Sequence, residues 1–191
     1  VFIFVSYISL RYLNHLDVNI FDIGHEFLPN IENKYHLQDI FVSITGIKMI
    51  YVLYKTNKLY LLKEFLCLYF ILFIIRYICH QFTILPTIQA DKKIKLCNSD
   101  TFHLNGGCND YIFSGHMTTI VLYSLFIMYA NNKIDICLIL YNIFVGLYII
   151  SSKDHYTVDI ILAVIITLMF FGNYLQCKSN KECSRFIKDY I

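Results

Sequence analysis

The sequence predicts an all-α, polytopic membrane protein with about six transmembrane helices, the first of them truncated. Three observations carry this. Charged residues are 16% of the 191-residue chain, against roughly a quarter in a soluble globular domain. Hydrophobic residues reach 57%, and the mean hydropathy is +0.54. Apolar runs recur at lengths near the ~20 residues that a ~30 Å hydrocarbon layer requires. A soluble domain of this size could not cover its surface with so few polar side chains, whereas lipid can. Two Pro and seven Gly rule out a disordered tail, a collagen-like fibre or a linker. A net charge of +2 without a long basic run argues against a nucleic-acid partner.

The apolar segments fall at residues 1–13, 40–54, 61–82, 116–130, 134–151 and 156–175. The first opens on Val rather than Met, so the expectation is a fragment whose true start lies upstream. Segments shorter than a full span borrow flanking residues or thin the bilayer locally. Loops are expected at 14–39, 55–60, 83–115, 131–133 and 152–155. Residues 1–175 then form a single transmembrane catalytic domain and 176–191 a cytosolic tail. Lys55, Lys58, Lys63, Lys133, Lys178, Lys181, Arg185 and Lys188 gather on one side. The other side has Lys34, Lys92, Lys93, Lys95 and Lys153 over roughly twice the length. The denser side is expected in the cytosol. The long loops then face the lumen or the exterior.

Three polar constellations sit at span ends on that non-cytosolic side. Cys108-Asn-Asp110-Tyr-Ile-Phe-Ser114-Gly115-His116 precedes the fourth segment. Ser114 suits an N-cap, and Gly115 allows close backbone approach. The free N–H groups of that helix start favour a phosphate, with His116 projecting towards it. A capped helix carrying an interfacial His explains the same residues without function. Asp154-His155-Tyr156-Thr157-Val158-Asp159 opens the last segment. His155 and Asp159, four apart, are expected on one helical face. The carboxylate would accept the Nδ1 proton and leave Nε2 as base or nucleophile. An Asp favoured by the helix dipole is the plain alternative. Arg76, deep in the third segment, either snorkels or holds a phosphate with its planar fork.

Taken together, two His, one Asp and one Arg from three segments point to one membrane face. There is no P-loop, no HExxH and no nucleophile elbow. The set suits phosphoryl transfer through a phosphohistidine: one imidazole attacks phosphorus, the other protonates the leaving oxygen, and cations hold the phosphate oxygens. No metal or other cofactor is called for, because a guanidinium and a helix dipole can neutralise the charge.

The pattern Cys108-x-Asp110-x3-Ser114-Gly115-His116 with His155-Tyr156-Thr157-x-Asp159 resembles the sphingomyelin synthase family, within the wider paired-histidine lipid phosphate phosphatase group. The family string C-G-D-x3-S-G-H-T is met except that Asn109 replaces Gly and Met117 replaces Thr. The second string, H-Y-T-x-D-V-x3-Y-x6-F-x2-Y-H, also matches at Phe171 and Tyr174 and departs at Ile160, Val164 and Leu175. Arg76 with Thr83, Leu85 and Pro86 looks like the family's third-span segment, and Leu28-Pro29-Asn30 like its P-L-P-D element. The phosphatase motifs fit less well, since Tyr77 follows Arg76, Phe113 precedes Ser114 and Ile149 stands in place of an Arg.

The resemblance implies that His155 is the nucleophile, Asp159 its partner and His116 the acid/base. Arg76, Asp110, Ser114, Gly115 and Tyr156 would bind substrate, with Asp110, Tyr111 and Tyr156 near a quaternary ammonium. It implies transfer of phosphocholine from phosphatidylcholine to ceramide in a Golgi or plasma membrane. The partners are therefore a phospholipid donor and a ceramide acceptor in the bilayer, and a homo-oligomer is compatible with this. Three alternatives remain: a phosphoethanolamine head group, hydrolysis of the donor, and a non-catalytic lipid-binding or scrambling relative. If the site is real, His116, His155 and Arg76 should surround one cavity.

Other residues are set aside. A Cys97–Cys108 disulfide is an option in the long loop, and Cys177 and Cys183 are candidates for palmitoylation. His15, His25, His36, His80 and His103 read as interfacial packing. Gly106-Gly107 reads as a flexible turn, and Lys48 as a snorkelling side chain.

Overall fold

A computed structural model describes residues 21–31, 37–82 and 113–180. The expected first span, Asp110 and Tyr111, Thr83 to Pro86, and the cysteines Cys97, Cys108 and Cys183 lie outside the described residues, as do His15, His36 and His103 and Gly106-Gly107. The described chain is all-helical. Its elements are α1 (Ile23–Phe27), α2 (Leu37–Lys55), α3 (Leu61–Phe82), α4 (Gly115–Asn131), α5 (Ile136–Ser151) and α6 (Thr157–Ser179). The five long helices fall on the five apolar segments expected from residue 40 onwards. Differences are confined to their ends. α2 starts three residues early, so Asp39 is helical rather than in a loop, and α6 runs on to Ser179. The short α1 was not expected. It forms because Asp22 caps it, the carboxylate accepting from His25 N at 3.1 Å.

α4 is the central helix and packs against α2, α3, α5 and α6. Its sequence is apolar or small all round, as a helix enclosed by others must be, and its buried residues range from Met117 to Ala130. Two core clusters divide the bundle lengthwise. Leu53, Leu61, Phe65, Leu122, Phe126, Leu138 and Phe171 fill the half near the 55–61 and 131–136 turns. Phe113, Met117, Ile120, Val145, Ile149, Ile160 and Ala163 fill the half where α4 and α6 begin.

α2 and α6 are long and apolar enough to cross a membrane, and α5 is a shorter apolar helix. Their outward faces carry exposed Ile40, Ile44, Ile47 and Ile50 on α2, Leu140, Ile143 and Leu147 on α5, and Ile161, Ile165 and Leu168 on α6. Only lipid or another apolar partner covers such faces without cost. Lys48 is exposed on α2. Between the helices, Thr45 Oγ1 and Tyr141 OH lie 3.2 Å apart, and Ser124 Oγ donates to Asn142 Oδ1 at 3.0 Å. Such interhelical hydrogen bonds spare polar groups from exposure to hydrocarbon.

The end far from residues 113–116 and 155–159 is closed by charge. Lys178 Nζ lies 2.7 Å from Glu64 Oε2 and stands over the rings of Tyr60, Tyr129 and Tyr174, and the Tyr174 hydroxyl also donates to Glu64. Lys58 Nζ donates to Ala130 O at 2.7 Å, at the negative end of α4.

Candidate active site at the joined helix starts

The starts of α4 and α6 are tied together, since Ser114 N donates to Asp159 O at 3.3 Å. Ser114 is the expected N-cap of α4, its hydroxyl accepting from Met117 N at 3.3 Å. The preceding Phe113 has φ +26°, a left-handed conformation that costs a non-Gly residue strain and recurs at functional sites. That turn aims the Phe113 carbonyl at α3, where Arg76 Nε donates to it at 3.1 Å.

Gly115 explains how Arg76 comes so near. A Cβ at Gly115 would stand 3.3 Å from Arg76 Nε and 3.4 Å from its Cζ. The close approach expected at Gly115 therefore serves the guanidinium of Arg76, which lies against the first turn of α4. Arg76 turns inward to this turn rather than snorkelling alone.

His116 follows on the same turn. Its Nε2 lies 2.8 Å from Asp39 Oδ1 at the start of α2, with side-chain exposures of 31% and 62%. A carboxylate facing that nitrogen requires the proton on Nε2. Sequence reasoning missed Asp39 because it sat in an expected loop, 77 positions away. Only its place in the first turn of a helix could have marked it.

His155 and Asp159 are buried, with side chains 9% and 1% exposed. The structure corrects their expected relation. His155 lies in the turn before α6, not on its face, and Nδ1 is 3.8 Å from Asp159 Oδ2, longer than a hydrogen bond. The same Asp159 oxygen accepts from Tyr156 N at 3.1 Å. Asp159 thus caps the helix that carries it and faces the imidazole with the same carboxylate. Tyr156 is buried, with its ring 5.6 Å from that of His25. Its ring packs against His25 and forms part of the wall of the cavity beside it.

The turn at 152–156 is held from α1. Asp22 accepts from Thr157 N at 2.8 Å and from Thr157 Oγ1 at 2.6 Å, and His25 Nε2 lies 3.1 Å from the carbonyl of His155. His25 is therefore bonded to the backbone of the candidate nucleophile, where sequence alone gave it only interfacial packing. A shallow cavity of about 410 Å³ beside this clamp is lined by Phe21, Asp22, Ile23, Tyr156, Thr157, Val158 and Ile161. Neither this cavity nor the one at the opposite end is lined by His116, His155 and Arg76.

What the described residues bring together is a set of helix starts: Ser114 to His116 of α4, His155 to Asp159 ahead of and within α6, Asp39 of α2, and Arg76 across from Gly115. Backbone N–H groups, a guanidinium and two imidazoles on converging elements are suited to an anionic phosphorus centre.

Residues 107–176 match the family model described as PAP2 superfamily C-terminal. That segment contains His116, His155 and Asp159. No curated protein matches the chain. The match supports the lipid phosphate phosphatase superfamily and an enzyme of its general phosphatase or phosphotransferase kind. With the apolar outward faces, it also supports a membrane protein. It does not separate sphingomyelin synthases from their relatives.

Proposed function

We propose that the chain is a phospholipid:ceramide phosphotransferase that moves phosphocholine from phosphatidylcholine to ceramide through a phosphohistidine. The observation that carries this reading is the pairing of buried His155 and Asp159 with the α4 turn that holds Ser114, Gly115 and His116. The sequence resemblance to sphingomyelin synthases in the same strings supplies the head group and acceptor. His155 attacks phosphorus through Nε2, and a P–N bond forms as the bond to the diacylglycerol oxygen breaks. His116 gives that oxygen its proton. The primary hydroxyl of ceramide then loses its proton to His116 and attacks phosphorus. The P–N electron pair returns to His155, and sphingomyelin leaves.

Asp159 stabilises the imidazole while it carries charge. Arg76 Nη1 or Nη2 contacts the phosphate, because Nε is given to Phe113 O. Ser114 and Gly115 offer the N–H groups of the α4 start, and Asp110 and Tyr156 take the choline side. The site faces the lumen or exterior of a Golgi or plasma membrane, with the lysine-rich end in the cytosol.

A second reading is hydrolysis of the donor. It is favoured by the exposure of His116 and Asp39, which would let water compete with ceramide. The test is expression in a host lacking the activity, with fluorescent ceramide added and the lipids separated. A choline-headed ceramide product is expected, and His155→Ala should bring it to background. Diacylglycerol without a ceramide product would select hydrolysis. An ethanolamine-headed product would correct the head group, and neither product would leave a lipid-binding protein.

A further inference from the structure

The mechanism needs the His155 ring held against Asp159 and the phosphorus, yet His155 belongs to a turn, not a helix. Turns of this kind move unless something fixes them. Lys153, two residues earlier, has φ +55°, so the chain reverses sharply just before the imidazole. What fixes this turn comes from far away in sequence. The carboxylate of Asp22 accepts from both the amide and the hydroxyl of Thr157, and Thr157 Oγ1 in turn accepts from Gly24 N at 3.2 Å. Ile31 N donates to Ser151 O at 2.9 Å on the other side of the turn. His25 Nε2 reaches the carbonyl of His155 itself. A carbonyl only accepts, so His25 carries its proton on Nε2.

This clamp is partly buried and tightly built. The side chains of His25 and Asp22 are 11% and 8% exposed. A Cβ at Gly24 would lie 2.2 Å from Thr157 Oγ1 and 2.7 Å from Ile150 Cγ2, so only glycine lets α1 come this near. Asp22 carries two jobs at once, capping α1 through His25 N and bonding the first residue of α6. Neither job needs His25 to be a histidine, because only its backbone is capped. Its imidazole is spent on Tyr156 and on the His155 carbonyl.

We infer that Asp22 and His25 are positioning residues for the candidate nucleophile, α1 serving as a brace that sets the His155 carbonyl and hence its ring. The inference rests on the reading of His155 as the nucleophile. A group acting through another residue's backbone changes turnover more than substrate binding, and its loss costs on the order of 10–100-fold.

The test uses the full chain in vesicles of phosphatidylcholine and phosphatidylethanolamine that also contain ceramide as acceptor, with diacylglycerol release measured as kcat and KM. His155→Ala, His25→Ala and His25→Gln are compared. The side-chain amide of Gln can still donate to the His155 carbonyl. The expected result is background activity for His155→Ala and a kcat about 10–100-fold lower for His25→Ala. KM should stay within about twofold, and His25→Gln should recover most of the rate. Wild-type kcat in His25→Ala beside a dead His155→Ala would overturn the brace and leave the nucleophile standing. Equal loss in the Ala and Gln variants would overturn it too, because bulk rather than the hydrogen bond would then matter. Full activity in His155→Ala would sink the nucleophile and the brace with it. Should His25→Ala fail to fold, Thr157→Val, which removes the hydroxyl's bonds to Asp22 and to Gly24 N and keeps the amide's bond to Asp22, is read by the same kcat against KM split.

Discussion

At the scale of single residues, the site is made by backbone and side chains serving each other. Asp159 caps α6 through Tyr156 N while facing His155 at 3.8 Å. Arg76 spends Nε on the strained Phe113 carbonyl and settles against Gly115. Asp22 shows what such commitments do to ionisation. Burial acts to raise its pKa, but hydrogen bonds from the Thr157 hydroxyl and amide and from His25 N outweigh burial and hold it below its ordinary 3.8. A lowered folded-state pKa means that Asp22 stabilises the fold fully above its unfolded value. The contribution is lost as pH falls through the folded value. Wild-type thermal stability should therefore drop below about pH 4 more steeply than that of Asp22→Asn. Equal acid slopes in a melting series would contradict this.

Legibility at this scale was uneven. Ser114 as N-cap and the proximity of His155 to Asp159 could be read from local spacing, because both are relations within four positions. Asp39 beside His116 and His25 beside His155 could not. Each joins residues 77 or more positions apart, and nothing in a single sequence encodes such pairs. The expected hydrogen bond from His155 Nδ1 to Asp159 was also too simple. Spacing of four places two residues on one face only inside a helix, and α6 begins after His155.

At the scale of elements, the five long helices were legible because apolar runs of this length have few other stable states. Their ends were read less accurately, since apolarity stops before the helix does. α6 continues past Leu175 into Gln176-Cys177-Lys178-Ser179, and that polar extension has a purpose in packing. It brings Lys178 to Glu64 and over Tyr60, Tyr129 and Tyr174. The pair is partly buried, so removing one partner should cost about 1–3 kcal/mol, between the surface and fully buried limits. Glu64→Gln is expected to lower the unfolding midpoint in detergent. Turnover per folded molecule should be unchanged, because this staple lies at the far end of the bundle from His155. A lost turnover at full stability would show that the two ends are coupled.

At the scale of the whole molecule, the scarcity of charge has a physical consequence. Outward faces of α2, α5 and α6 are left apolar. Among the described residues, the ionisable groups other than Lys48 gather towards the two ends, a lysine staple at one and two histidines with their carboxylates at the other. The central α4 links them, and its first turn is where Arg76, Asp39 and the start of α6 meet. Membrane class and the superfamily strings could be read from sequence. The brace from α1 was visible only after the chain had been folded.

The most direct test of the account is the covalent intermediate. The full chain is exposed to vesicles of phosphatidylcholine without ceramide and quenched in alkali, where a P–N bond survives. Its peptides are then weighed by mass spectrometry. The account predicts a phosphocholine adduct on the peptide containing His155, lost in His155→Ala and discharged when ceramide is supplied before the quench. An adduct on a different residue, or turnover with none on His155, would contradict it.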